Sequence, residues 1–390
     1  MRFLLEDFRT SQIIFPESPK DLSSGRRKDL RTPRPHQEEA IAAVVEGLKT
    51  ADRGQVLMAC GTGKTLTSLW IKEKLFAKNT LVLVPSLSLL RQLLKNWNSQ
   101  KSQSFKWLCV CSDNTVAKDK KNDVWITNTS ELDISVTSDL YKIKEFLSQS
   151  GSKVIFSTYQ SSDLICEVQQ IMSQFIFDLT IADEAHNCTG RLETYFGNIL
   201  DDNKIRTSKK LFFTATPKIL SARIKNQSKE KEIEVASMDN ESMFGNVLHK
   251  LNFSEAIKKE ILTDYQVSIV GIDNAEIRQS IRNRDLITTH GDYIFDAESL
   301  GTYIAIIKSI KNYDVHKLIS FHNRIDHAEI FSNNFPLISN SFQKNVKDKI
   351  NIFSDFVKGN MNSTLKDEKI QKLNSVENND CFILSNARCL

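Results

Sequence analysis

Short apolar runs, separated by longer stretches of helical period, set the strongest limit on how this chain can fold. The runs are Gln55–Met58, Thr80–Val84, Trp107–Cys111, Lys153–Thr158, Phe177–Asp183 and Lys210–Thr214. Each is strand length and rich in Val, Ile, Leu or Phe, as strands covered on both faces are. Helical spacing begins earlier, at Gln37–Leu48, and recurs between the runs. Strands alternating with helices imply crossover connections and a parallel sheet. The expected class is therefore α/β. In such sheets ligands bind beyond the carboxyl ends of the strands, and polar residues sit at the ends of these runs.

The length of 390 residues suggests two domains, and 40% hydrophobic residues can fill two cores. Residues 1–30 read as a polar lead-in, 31–220 carry the first strand series, and 221–264 read as a bridge. The bridge holds a charged stretch with Lys225, Lys229, Glu230, Lys231, Glu232 and Glu234. Residues 265–390 hold a second series, with strands expected at Tyr265–Ile272, Lys317–Phe321 and Cys381–Leu384. Helices are expected there at Leu300–Ile310 and Val346–Val357. This series is shorter and stops just after a strand-like run, so the second domain is expected to be incomplete.

The net charge of +4 is too small to identify a partner. Arg26, Arg27, Lys28, Arg31 and Arg34 crowd one segment, which suits a solvated surface as well as a phosphate contact. The seven cysteines lack paired spacing, and Cys109 and Cys111 would share one strand face, as reduced buried thiols do. The histidines show no ligand spacing. No apolar run approaches the ~20 residues of a membrane span. Glu6 and Asp7 follow the apolar start at once, unlike a signal peptide. A reducing, cytoplasmic setting without a membrane partner is expected.

Two motifs carry chemistry. Gly61-Thr62-Gly63-Lys64-Thr65 follows a strand and opens a helix. Its glycines permit tight turns that bring N–H groups onto phosphate oxygens, and the helix N-terminus adds partial positive charge. Lys64 can reach the β- and γ-phosphates, and Thr65 can place its hydroxyl on Mg²⁺. The full loop pattern has glycine where this chain has Met58, so a glycine-rich turn with a surface lysine stays open. Asp183-Glu184-Ala185-His186 ends another run. Asp183 suits Mg²⁺ held through water, and Glu184 suits orienting and deprotonating an attacking water. Two acids at a strand end are common alone, and much less common behind a phosphate loop.

These motifs and Thr214-Ala215-Thr216-Pro217 occur in that order, each after a strand. The set resembles the superfamily 2 helicases and translocases of the DEAH-box branch. More closely, it resembles the motor subunits of type I and type III restriction enzymes and related phage-defence helicases. The segment Met58–Thr65 is similar to that group's phosphate loop. The resemblance implies two RecA-like P-loop domains with parallel sheets and ATP and Mg²⁺ as cofactors. Lys64, Asp183 and Glu184 would be catalytic. Gln37, Gly61, Thr62, Gly63, Lys64 and Thr65 would bind nucleotide, with Gln37 on the adenine edge. Thr65 and Asp183 would hold the metal, and His186, Thr214 and Thr216 would couple hydrolysis to domain movement.

Weaker flanking motifs imply nucleic-acid contacts from Ser86, Arg91, Thr158, Gln160, Asn323 and Arg388. Tyr159 and Gln160 read equally well as ordinary loop residues. Phe244-Gly245 and Leu262–Tyr265 look like the family's passage into the second domain. The implied partner is DNA, duplex or single-stranded, with nuclease or methyltransferase functions in other domains or subunits. The family's late arginine-rich motif has no counterpart, since Ser385–Leu390 resembles only the opening of the motif before it. Weak or absent turnover by the chain as it stands is therefore expected. An RNA-directed DEAH helicase and a non-motor nucleotide-binding scaffold are the alternatives.

Overall fold

The computed structural model describes residues 13–14, 26–27, 29–111, 136–231, 233–272, 297–343, 350–358, 361, 363–376 and 380–387. The chain forms two compact units, the first ending at Asp264 and the second opening at Tyr265.

In the first unit, helix α1 (Pro35–Gly47) precedes β1 (Arg53–Met58), α2 (Lys64–Lys74), β2 (Asn79–Val84), α3 (Leu87–Gln100) and β3 (Lys106–Val110). Then follow β4 (Val136–Thr137), α4 (Leu140–Ser148), β5 (Lys153–Thr158), α5 (Ser162–Ile171), β6 (Phe177–Ala182) and β7 (Thr207–Thr214). Helix α6 (Ala222–Glu230), β8 (Asn246–Leu251) and α7 (Phe253–Lys258) complete it. The sheet has eight strands in the order β8-β1-β7-β6-β2-β5-β3-β4. Every pairing in it is parallel. The α/β expectation is met, and each of the six first-series runs overlaps a strand.

Apolar patterning explains the layers. In β1 and β2 every residue after the first is buried, because helices cover both faces. Helix α3 buries Leu87, Leu90, Leu93, Leu94 and Trp97, one stripe at helical period, and Ser86 caps it by accepting from the Leu89 N–H. Trp97 meets Phe156 of β5 edge-on at 5.5 Å between centroids.

Three expectations change. The bridge over 221–264 is not a bare connector, since its residues Asn246–Leu251 form β8, which pairs with β1 at the sheet edge. The strand carries His249 and Lys250, a polar pattern fitting an edge position and giving no apolar signal. Gly245 makes this pairing possible. Its φ is +73°, and a Cβ there would lie 2.4 Å from the Arg53 carbonyl oxygen. Gln55 of β1 locks the corner by donating to the carbonyls of Met238 and Gly245, each at 2.9 Å.

Residues 265–272 form no strand. Val267 and Ile269 are 77% and 93% exposed, so the alternation there is not matched by burial. The helix expected at Val346–Val357 is instead a strand, Asn351–Val357, where residues 346–349 lie outside the described ones. Its Phe- and Ile-rich run is ambiguous between the two periods, and tertiary pairing decides it.

The second unit contains α8 (Ala297–Asn312), β9 (Lys317–Phe321), α9 (Ile325–Phe342), β10 (Asn351–Val357), α10 (Ser363–Asn374) and β11 (Asp380–Asn386). Its three strands are parallel in the order β9-β11-β10. Tyr303, Ile307, Phe331, Phe335, Ile352 and Ile383 lie in its core.

Candidate nucleotide site

Strands β1, β7, β6 and β2 are neighbours, and their carboxyl ends lie on one edge. Thr214 stands opposite Leu57, and Ala182 stands opposite both Phe212 and Leu83. The segments leaving these ends carry the phosphate loop, the Thr-Ala-Thr-Pro motif, the Asp-Glu-Ala-His motif and Ser86. The topology therefore gathers motifs that lie far apart in the sequence, at strands ending as early as Met58 and as late as Thr214.

The phosphate loop turns tightly from β1 into α2. Gly61 and Gly63 have φ of +83° and +89°, which side chains resist. Thr62 is buried, and its hydroxyl donates to the Ala59 carbonyl at 2.7 Å. Lys64 is the first residue of α2, so the positive helix end and the ammonium converge there. Lys64 Nζ lies 3.3 Å from the Met58 carbonyl and 3.7 Å from Glu184 Oε1. Met58 is fully buried and contributes its backbone oxygen, which any residue would supply. The missing glycine leaves the turn intact.

Helix α1 supports the loop from outside. Gln37 donates from Nε2 to the carbonyls of Thr62 and Gly63 at 3.3 and 3.4 Å, and its Oε1 accepts from Arg34 N–H at 2.9 Å. The Gln37 amide thus braces the loop. His36 does the same, with Nε2 at 2.9 Å from the Thr62 carbonyl. Trp97 of α3 donates to the Thr65 carbonyl at 2.9 Å. Neither His36 nor Trp97 has a role assigned by the sequence. The position of His36 beside Gln37 was the available signal.

The acidic motif sits opposite Lys64. The Asp183 N–H donates to the Leu83 carbonyl at 2.8 Å. Burial of its carboxyl, with the Glu184 charge adding, raises the Asp183 pKa to about 6 against the pull of Lys64. Glu184 takes φ 48° and ψ 50°, a left-handed conformation that non-glycine residues hold only where the surroundings impose it. His186 Nδ1 lies 3.4 Å from Glu184 Oε2 and 3.0 Å from Thr214 Oγ1. Thr214 is fully buried, and its hydroxyl accepts from the Thr216 N–H at 3.2 Å. One hydroxyl thus joins the acidic motif to the Thr-Ala-Thr-Pro motif.

A hydroxyl from Thr65 and a carboxylate from Asp183 are hard oxygen donors, which suit Mg²⁺. Asp183 adds an observation of its own, a desolvated carboxyl whose charge Lys64 only partly offsets. The residues fit that ion.

The expected nucleic-acid residues divide. Ser86 and Arg91 follow β2, Thr158 ends β5 and Gln160 follows it, with Val84 opposite Thr158. These four stem from neighbouring strand ends. Thr158 is buried and its hydroxyl is 2.9 Å from Ser161 Oγ, so it shapes the turn. The Gln160 Oε1 has no hydrogen-bond partner among the described residues. Asn323 is exposed after β9 in the second unit. Arg388 lies outside the described residues.

Comparison with known proteins agrees with this geometry. Residues 31–219 match the family model described as the res subunit of type III restriction enzymes. The Type ISP restriction-modification enzyme LlaBIII, solved bound to DNA, is 28% identical with a TM-score of 0.79, covering 99% of this chain and 26% of that one. A nuclease-deletion mutant of the Type ISP enzyme LlaGI, solved with a DNA substrate mimic, is 25% identical with a TM-score of 0.61, covering 90% and 24%. A probable helicase, A859L of African swine fever virus, is 27% identical over 284 residues, 73% of this chain and 28% of that protein. This chain thus spans about a quarter of the length of these relatives. Fold, motif order and matches give this chain an α/β, RecA-like fold similar to that of the superfamily 2 helicases. Within that class the chain resembles the motors of restriction enzymes.

No helix among the described residues is long and apolar enough to cross a membrane.

Proposed function

We propose that this chain is the ATP-hydrolysing part of a DNA-dependent helicase or duplex translocase that serves restriction or phage defence. The observation that carries the reading is the joined constellation at one sheet edge. Lys64, Glu184, His186 and Thr214 lie in a continuous chain of contacts of 3.7, 3.4 and 3.0 Å.

The chemistry follows from the geometry. N–H groups of the 59–63 turn and the N-terminus of α2 receive the phosphates, and Lys64 offsets charge on the transferring group. Glu184 orients a water toward the γ-phosphorus and accepts its proton as the P–O bond to ADP breaks, leaving ADP and phosphate. Thr65 and Asp183 would hold Mg²⁺, which would supply positive charge against that of the phosphates. Gln37 and His36 hold the loop in place, and Gln37 would also read the adenine edge, as its motif implies. Thr214 and Thr216 pass the state of the acidic motif to the rest of the motor.

DNA is the proposed activator because LlaBIII and LlaGI, both similar to this chain in fold, were solved with DNA or its mimic. The strand would be held by backbone contacts from the 86–91 and 158–160 segments and from Asn323 and Arg388, hence with little sequence preference. Nuclease and methyltransferase functions would come from other domains or subunits. ATP turnover measured with duplex DNA, single-stranded DNA and RNA tests the reading. Stimulation by DNA above RNA supports it. Stimulation by RNA alone points to an RNA-directed helicase, and nucleotide binding without turnover under any condition points to a scaffold.

A further inference from the structure

Tyr159 opens the short turn Tyr159–Ser161 that follows β5. Its neighbours Thr158 and Gln160 belong to the proposed nucleic-acid segment, yet its own side chain points inward and is fully buried. The phenol donates to the Asp183 carbonyl at 2.8 Å. That carbonyl belongs to the peptide joining Asp183 to Glu184. Any rotation of that peptide turns the Glu184 backbone, which sits at φ 48°. The other side of Asp183 is fixed by its N–H on Leu83. The Tyr159 hydroxyl therefore holds one of the two peptides that flank Glu184, the other being held where the Glu184 carbonyl accepts from the Asn187 N–H at 3.0 Å.

The turn itself is stiff. Thr158 Oγ1 and Ser161 Oγ close it at 2.9 Å, and the Tyr159 ring packs on Phe196 at 5.2 Å between centroids. Beside Tyr159, the Gln160 Oε1 lacks a hydrogen-bond partner among the described residues. A shift of this turn would reach Glu184 through one hydrogen bond.

We propose that Tyr159 is a positioning residue that couples nucleic acid bound at the 158–161 turn to the aim of Glu184. This rests on the nucleic-acid-dependent ATPase reading above. A purely structural role would also explain the bond, since a buried tyrosine hydroxyl needs some acceptor. The two differ in what the hydroxyl controls.

Tyr159→Phe removes the hydroxyl and keeps the ring. Turnover is measured with and without a mixed-sequence duplex DNA, for wild type and variant. The ratio of stimulated to basal kcat is expected to fall about fivefold, the equivalent of one hydrogen bond of about 1 kcal/mol, with KM for ATP within about twofold. Parallel loss of basal and stimulated rates with the ratio unchanged would overturn the proposal while leaving the motor reading intact. A wild type that DNA does not stimulate would overturn both. Amide hydrogen exchange gives an answer even if the variant folds poorly. In the wild type, DNA should slow exchange at 159–161 and at 184–187 together. Protection at the turn alone would contradict the coupling.

Discussion

Replacing Thr214 with valine removes one hydroxyl and keeps the branched shape of a fully buried residue. Three contacts are lost, the Thr216 N–H at 3.2 Å, which donates to the hydroxyl, and His186 Nδ1 at 3.0 Å and the Thr216 carbonyl at 3.4 Å, between which its one proton is shared, so about two hydrogen bonds go. Each neutral hydrogen bond is worth about 0.5–1.5 kcal/mol net, so the sum is about 2 kcal/mol. In a domain of this size, about 1 kcal/mol moves the melting temperature by roughly 2–4 °C, giving an expected fall of about 4–8 °C in the first unit's transition. Thr214→Ser retains the hydroxyl and loses only a methyl group, so it should be the milder change in coupling. Calorimetry gives the melting temperatures, and DNA-stimulated ATP turnover gives the functional loss, expected at about tenfold for valine, or about 1.4 kcal/mol in the barrier. A valine variant that melts with the wild type and turns over at the wild-type rate would show that the hydroxyl is not the joint between the two motifs. So would a serine variant more impaired in turnover than valine.

The other predictions concern the loop edge and the acidic motif. Gly245→Ala places a Cβ 2.4 Å from the Arg53 carbonyl at a φ of +73°, and should destabilise the first unit by about 2 kcal/mol or more, read as a lower urea midpoint. Asp183→Asn should stabilise the metal-free protein while ending hydrolysis. The folded pKa of about 6 exceeds the ordinary 3.8, so between these values the native state binds more protons and the wild type loses stability as pH rises. The gain from asparagine should therefore be near zero at about pH 4 and full above about pH 6, at roughly 1–3 kcal/mol. Urea unfolding across that range checks it, and a gain independent of pH would refute the cause. His36→Ala should weaken ATP binding by loosening the Thr62 carbonyl, which a titration with a fluorescent ATP analogue would detect as about a fivefold rise in Kd. Unchanged affinity would mean that Gln37 alone suffices.

Strand composition carried most of the first unit. Runs such as Leu81–Val84, apolar throughout, and Leu179–Ala182, apolar but for Thr180, are buried to the last residue, so period and burial agree. The phosphate loop and acidic motif were legible because each ends such a run. What escaped was whatever burial does not write into a pattern. Strand β8 is an edge strand with polar residues, and its place depends on Gly245 passing the Arg53 backbone. Residues 351–357 fit either period, and pairing with β11 settles them as a strand. Tyr159 and His36 act through single hydrogen bonds to backbone carbonyls 24 and 26 positions away, and no local spacing reports such bonds. The exposed Val267 and Ile269 show the opposite error, alternation without a sheet to receive it.

The central claim is that Lys64 and Glu184 form a hydrolytic centre driven by DNA. ATP hydrolysis by the protein, with and without duplex DNA and beside Lys64→Ala, tests it most directly. The account predicts turnover that is weak in the chain as it stands, rises with DNA and disappears in the alanine variant. Turnover that persists in Lys64→Ala would contradict it.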